Sequence, residues 1–436
     1  MRQMLLALGL VGMLCTNVLG EPSDALTLEE AIQLALRNNR AVQISARNLE
    51  KSRHAVREAR GNALPQIQSS ATYTRFDQVA TARFGPQPVR LGNLENRTAR
   101  ITLTQVIDIS GLVHTAIRGA TVFLSISELE HERTRNDTIL QVIQAYQRVA
   151  RADEFVRVAE EALRNAQERL RIVRAQVEAG VAAQFDLLRA ETAVAQAEQA
   201  VLNAHNQREL AAAALNNLLG RPLDTPVRIA SAPTLPPMPD ASLEQLTQQA
   251  LANRPEVLAA ARSVELARLN IRTAQRGALP NLVLTGQADF NLTTSPFNPR
   301  REVYAGALVL SVPIWDSGIT RAREAQAREE LEIAQLRLEQ AKESVALEVR
   351  QAYLTLQDAQ KRLAVAQKGL EQAREALRLA RVRFEAGVSP QLEISDAELA
   401  FTQAQTNFVN AQFDYLDAYA ALQRAIGALG KQYAQL

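Results

Sequence analysis

Cysteine, histidine, glycine and aromatic side chains are all scarce in this chain. One cysteine in 436 residues, Cys15, and four scattered histidines (His54, His114, His131, His205) supply no ligand set with zinc or iron–sulfur spacing, so no metal site is expected. No nucleophile motif and no glycine-rich phosphate loop occurs, which removes the common enzyme classes and leaves no catalytic residue and no cofactor to assign. An excess of one charge is also missing. With 49 Lys+Arg against 47 Asp+Glu, the net charge is +2, and a nucleic-acid partner would want a basic face. Only 18 glycines, one tryptophan and 4% aromatic residues remain to build loops and chemistry. That balance favours long helices and architecture over catalysis.

Long hydrophobic runs are absent as well. The one apolar stretch, Met4–Leu14, follows Arg2 and is too short to span a bilayer comfortably. With the small-residue end Val18-Leu19-Gly20 it reads as a signal peptide over residues 1–20, cut after Gly20. Cys15 would then leave with it, and an exported chain without disulfides results. Lipidation at Cys15 is the alternative, but Leu14 stands where lipoprotein signals prefer a small residue.

Internal repetition sets the organisation. Leu28-Glu29, Ala35-Leu36 and Ala63-Leu64-Pro65 recur 215 residues later as Leu243-Glu244, Ala250-Leu251 and Ala278-Leu279-Pro280. After a shorter loop in the second copy the shift becomes 207, matching Ser110-Gly111 to Ser317-Gly318. Between Glu178–Glu198 and Glu385–Gln405, 10 of 21 positions are identical. Proline avoids 89–221 and 314–389, as long helices require, and six prolines crowd the connector 222–239. The first repeat is thus 21–230, with strands at about 66–77 and 97–108, a long helix at about 112–179 and a return helix at about 183–219. The second is 231–436, with strands at about 281–292 and 302–314 and helices at about 318–386 and 390–428.

The helices carry seven-residue seams: Val156, Leu163, Leu170 and Val177 with Ala159, Ala166 and Val173, and then Leu363, Leu370, Leu377 and Phe384 with Ala366, Ala373 and Ala380. The return helices repeat the signal at Leu187, Val194, Val201 and at Ile394, Phe401, Phe408, each with alanines three residues on. Such a period implies left-handed coiled-coil packing with close backbones. The segments between helices switch to period two. Leu282, Leu284, Gly286, Ala288, Phe290 and Leu292 share one face of 281–292, and Asn281, Thr285, Gln287, Asp289 and Asn291 the other, with Val283 the exception. Residues 97–108 and 303–314 alternate similarly, and 67–76 weakly. Ten-residue strands of this kind, with Tyr73, Phe76, Phe290, Tyr304 and Trp315 near their ends, match transmembrane β-barrel strands facing lipid, although a half-buried soluble sheet alternates too. Four strands cannot close a barrel and open edges are not tolerated in lipid, so membrane strands here require oligomerisation.

In these features the chain resembles the TolC family of outer-membrane channel-tunnels. The most specific pieces are Pro313-Ile314-Trp315-Asp316-Ser317-Gly318, like the family's strand-to-helix corner, and the twin turns Val177-Glu178-Ala179-Gly180-Val181 and Phe384-Glu385-Ala386-Gly387-Val388. Leu34-Ala35-Leu36-Arg37-Asn38-Asn39 is also typical. The resemblance implies an α plus membrane-β fold: tandem-repeat protomers, each with four transmembrane strands and long antiparallel coiled-coil helices, assembling as a homotrimer with a 12-stranded barrel in the outer membrane and an α-helical tunnel in the periplasm. Loops 78–96 and 293–301 would face outside, and both Gly-Val turns would form the periplasmic tip.

By position, the resemblance makes Asp186, Glu393 and Asp396 the acidic residues of the tunnel entrance, where three-fold rings would attract cations and resist closure. The plainer reading is a carboxylate in a helix's first turn, stabilised by the macrodipole by about 0.3–1 kcal/mol. Ser389-Pro390 reads as that helix's start, with Ser389 capping and Pro390 in first helical position. The family's basic latch residue after the second turn glycine is Ser389 here. Gly180, Val181, Gly387 and Val388 match the turns where a periplasmic adaptor docks, or are simple helix C-caps. The function implied is the exit duct of a tripartite efflux pump, reached by an inner-membrane transporter through that adaptor. A type I protein-secretion duct and a soluble periplasmic coiled-coil scaffold or chaperone are the competing readings.

Overall fold

Capping chemistry starts the fold twice in the same way. Thr27 and Glu30 exchange reciprocal hydrogen bonds (Glu30 N to Thr27 Oγ1, 3.2 Å; Thr27 N to Glu30 Oε2, 2.9 Å) ahead of helix α1, Leu28–Asn38. The same box recurs 215 residues on, where Ser242 and Gln245 open α5, Leu243–Asn253. In the computed structural model, which describes residues 25–83, 86, 88–230, 234–294, 300–386 and 388–433, each box leads into the same series of elements. The first series is α1, α2 (Arg40–Gly61), β1 (Gln66–Arg75), a small hairpin β2 (Thr81–Arg83) and β3 (Pro88–Arg90), β4 (Glu95–Ile107), α3 (Leu112–Glu178) and α4 (Gln184–Leu219). The second is α5, α6 (Pro255–Arg276), β5 (Asn281–Asn291), β6 (Glu302–Ser311), α7 (Ile319–Glu385), α8 (Gln391–Ala425) and the short α9 (Leu429–Gln432). Helices α3 and α7 have 67 residues each, about 100 Å at 1.5 Å per residue. The leader over 1–20 lies outside the described residues.

Two compact units form. One comprises the described part of 1–35, with 142–235 and 366–413. Its helices pack along the seven-residue seams: Ala166, Val173 and Ala190 from the first repeat and Leu377, Ala380, Phe384, Ile394 and Phe401 from the second are all buried. Val173, Ala190, Phe384 and Ile394 meet in one cluster flanked by Leu170, Val177 and Leu187. Full burial of such Val, Ile or Phe side chains is worth about 1.5–3 kcal/mol each. At the far end of α4 a left-handed Gly220 (φ 66°) stops the helix. The proline-rich connector is then tied down by the fully buried Asn216, whose amide donates to the carbonyls of Leu223 and Thr225. Ile229 bridges Leu26, whose carbonyl also accepts from the Tyr146 hydroxyl at 3.0 Å.

The other unit comprises 36–141, 236–365 and the described part of 414–436. Its four-stranded antiparallel sheet runs β1-β4-β5-β6, so the two repeat hairpins join through β4 and β5. Register places Thr98, Arg100, Thr102 and Thr104 of β4 beside Thr72, Ser70, Gln68 and Gln66 of β1 and Asn291, Asp289, Gln287 and Thr285 of β5, which makes this face polar over those three strands, while β6 adds Val303, Ala305 and Ala307 to it. The opposite face gathers Ile67, Ile101, Leu103, Leu282, Leu284, Leu308 and Leu310. These are exposed in large part; Leu308 and Leu310 reach 62% and 58%. An apolar sheet face left open this way needs an apolar environment. Among the described residues no helix is long and apolar enough to cross a membrane.

In the same unit Leu246, Val257, Val349, Leu356, Tyr415 and Leu422 form a hydrophobic core. Beside it lies a charged cluster. Arg254, 4% exposed, donates to Glu256, Glu348 and the carbonyl of Ala425, while Arg424 binds Asp137, Glu256 and Glu348, and Arg133 adds to Asp137 and Glu256. The net effect of Arg254 and Arg424 is to hold the Glu256 carboxyl below its usual range although burial pushes it up.

Candidate functional site: turns, corners and a charged groove

Both long helices end in the same way. At the first turn Gly180 takes φ +77°, its N–H bonds Val177 O (2.9 Å) and the N–H of Val181 bonds Gln176 O (2.9 Å), a Schellman closure. In the second, Val388 N bonds Arg383 O at 3.0 Å, the equivalent contact under the 207-residue shift. Gly387 itself lies outside the described residues. The valine after each glycine is solvent-facing, Val181 at 76% and Val388 at 68% exposed.

The acidic residues predicted beyond these turns differ in surroundings. Asp186 and Glu393 are repeat equivalents at the third positions of α4 and α8, in the first turn of each. Glu393 is paired with Arg383 Nε at 3.1 Å across its own turn, and the first repeat has Gln176 at the place of Arg383. Asp186 is joined to the other repeat through its carbonyl, which accepts from Gln391 Nε2 at 3.5 Å. Asp396 is exposed and lines an open groove of about 620 Å³ together with Arg169, Arg189, Gln391 and Glu398. Its repeat equivalent is Arg189, so the acidic pattern is not two-fold. The expected start of α8 is corrected: the helix begins at Gln391, and the buried Ser389 hydroxyl has no hydrogen-bond partner among the described residues, so Ser389 does not cap it. The ring of Pro390 fixes its φ and starts the chain toward helical geometry, with its carbonyl accepting from Glu393 N at 3.1 Å.

One pair in this unit was not anticipated. Arg169 of α3 and Glu398 of α8 form an ion pair in which each side chain is about nine-tenths buried. Burial pushes the Glu398 carboxyl above its usual range, outweighing the opposing charges of Arg169 and Arg381. Arg169 falls on a polar position beside the seam, and nothing in its spacing separates it from a solvated arginine.

The strand-to-helix corner at Pro313–Gly318 works by carboxylate capping. Asp316 accepts from Gly318 N (3.0 Å) and Thr320 N (2.8 Å), with Ser317 and Gly318 both at positive φ (53° and 82°). Pro313 ends the strand region and Trp315 stands 85% exposed at its base. Asp108 does the same for α3, accepting from Val113 N and His114 N, and Arg276 closes that corner on Gly111 O and Thr115. The repeat alignment hid Asp108, because Ile109 adds one residue ahead of Ser110-Gly111 and puts Asp108 out of step with Asp316. No group of His, Cys, Asp or Glu among the described residues could hold a metal ion.

An open-edged sheet with one apolar face, joined through carboxylate-capped corners to helices of 67 residues, is the architecture of an outer-membrane channel protomer. The chain belongs to the outer membrane efflux protein family, whose model matches residues 31–221 and 246–428. It is 24% identical over 309 residues to the alkaline protease secretion protein AprF of Pseudomonas aeruginosa (69% of this chain, 64% of that one) and 24% identical over 412 residues to the solvent efflux pump outer membrane protein SrpC of Pseudomonas putida (92% and 85%). Its fold is similar to the Campylobacter jejuni CmeC outer membrane channel, with a TM-score of 0.79 at 18% identity, covering 94% of this chain and 88% of that one. The protein is an outer-membrane channel, with its helices in the periplasm.

Proposed function

We propose that three copies of this chain form one exit duct, a twelve-stranded barrel over an α-helical tunnel, that serves an inner-membrane transporter through a periplasmic adaptor and does no chemistry itself. The observation that carries this is the sheet order. Strands β1 and β6 are edges with no strand beyond them among the described residues, on a sheet whose face is apolar. Lipid does not tolerate such edges, and closure by neighbouring copies satisfies them. Three copies give twelve strands, above the eight of the smallest closed membrane barrels.

The exposed Val181 and Val388 suit docking of an apolar adaptor tip, with Gly180 allowing the first turn. Asp186, Glu393 and Asp396 would ring the entrance. Mass by sedimentation of protein extracted from the outer membrane tests the assembly, with correction for bound detergent. Three chains per particle are expected, and a monomer or dimer overturns the closure.

The cargo is read as small molecules, in line with what the SrpC match is named for. The AprF match favours protein secretion as the second reading. A strain lacking the chain separates them by what it retains: a solute that should leave, or a protein that should be released.

A further inference from the structure

We propose that the outer rim of the sheet binds the phosphate groups of an outer-leaflet glycolipid through Arg75, Arg97, Arg300 and Arg301, with Tyr73 beside them. The argument begins with where charge falls along the strands. On the lipid-facing side of β4, positions 99 to 107 carry no charge, and neither do their neighbours in register on β1 and β5. Those eight steps cover about 27 Å at 3.4 Å per residue, close to the height of a barrel's apolar band of about 25 Å. The next residues outward on that face are Arg97 and, one pair further, Arg75 opposite Glu95. The first arginines therefore stand at headgroup level.

The two ends of the sheet differ in sign. At the periplasmic end Asp108 and Asp316 spend their carboxylates on helix N–H groups, and Arg276 is bound to Gly111 O and Thr115. At the outer end, residues 75–97 and 291–302 hold six arginines against three carboxylates. Glu95 pairs with Arg97 at 3.3 Å, and Glu302 accepts from the Tyr304 hydroxyl at 3.1 Å. Arg75, Arg300 and Arg301 are exposed and form no ion pair among the described residues. Arg300 and Arg301 are held at the rim, since their carbonyls accept from the Asn291 side chain and backbone. Arg97 also lies 5.6 Å over the Tyr73 ring, which fixes its plane.

The unpaired guanidinium forks of Arg75, Arg300 and Arg301 match phosphate geometry and are more weakly hydrated than ammonium groups, and Arg97, which shares its charge with Glu95, adds a donor beside Tyr73. A free phosphate would use the arginines alone. Here Leu292 (72% exposed) stands level with Arg97, and Phe290, opposite Ala99, continues the apolar face beneath it, where acyl chains attached to the phosphorylated sugar would lie. The rim and the apolar face together fit a lipid and not a soluble anion. This inference rests on the outer-membrane placement of the sheet and not on the number of copies.

Native mass spectrometry of the full chain, purified in detergent, tests it with three probes: bis-phosphorylated lipid A, its dephosphorylated form, and inorganic pyrophosphate. The phosphorylated lipid should be retained about tenfold better than the dephosphorylated one. The variant Arg75→Gln, Arg97→Gln, Arg300→Gln, Arg301→Gln should lose about the same factor while its oligomer mass is unchanged. Equal retention of both lipids, or an unaffected variant, overturns the site. Displacement of the lipid by equimolar pyrophosphate overturns the lipid assignment in favour of a free-anion site. The comparison of the two lipids uses the wild-type chain and decides the matter even if the fourfold variant fails to assemble. A wild-type chain that binds the phosphorylated lipid as a monomer would overturn three-fold closure and leave this site standing.

Discussion

Asp396 and Glu393 lie three residues apart on α8, yet only Glu393 has a counter-charge on its own turn, from Arg383 at 3.1 Å. An exposed pair at that distance does not contribute much stability, but it does offset the field of Glu393 at the mouth. Asp396 projects its charge unopposed by any ion pair among the described residues. If these carboxylates ring the entrance, Asp396→Asn should weaken block by a divalent or trivalent cation in planar bilayers by about tenfold, and Glu393→Gln by less than about threefold. Equal effects would mean that Arg383 does not neutralise its partner in the assembled mouth. An unchanged double variant would leave both as ordinary first-turn carboxylates. The positions of these residues were legible because the repeat marks the turns. The Arg383 pairing was not, since i to i+10 across a turn has no periodic signature.

At the scale of elements, hydrophobic period carried most of the information. Val173, Leu377, Phe384, Ile394 and Phe401 stand on the seven-residue seams and are buried, and the alternating faces of 97–108 and 281–292 are the two faces of the sheet. What escaped is polar and local: both capping boxes, the Asp108 corner and the Arg169–Glu398 pair. Their residue types also decorate solvated helices, so only geometry distinguishes them. The 81–90 hairpin was lost for a similar reason, as three-residue strands have too little length to show a period. The turn at Gly180 gives a clean test of element closure. A Cβ there would meet nothing within 4 Å, so Gly180→Ala has no clash and only the cost of φ +77°. Amide exchange at the end of α3 and the start of α4 should report a local stability loss of about 1 kcal/mol. No change would show that the left-handed turn is not retained in solution.

At the scale of the molecule, two repeats become one protomer through β4–β5 pairing and through charges that draw on both copies. Asp137 comes from the first repeat, and Arg254, Glu256, Glu348 and Arg424 come from the second. Three arginines, with Arg133, face three carboxylates, and the group ties α3, α6, α7 and α8. Arg424 is 16% exposed and its carboxylate partners between 18% and 38%, so removing it from this partly buried set by Arg424→Met should cost about 2 kcal/mol of local stability at neutral pH. The pH response follows from Glu256. Its carboxyl is pushed up by burial but held below its usual range on balance by hydrogen bonds and charge from Arg254 and by the charge of Arg424. Its folded pKa therefore lies under its unfolded one. The stabilisation is fully present above the ordinary glutamate pKa of about 4.3 and is lost as pH falls through that value to the depressed one. Amides of α6 and the last turns of α8 should keep full protection from pH 7 to about 5 and lose it below about 4. Glu398 should respond in the opposite sense, because burial raises its pKa and acid favours its neutral form. In Arg424→Met the same amides should start less protected and change less on acidification, since part of what depresses Glu256 is gone. An acid response as steep as the wild type's would place its origin outside this cluster.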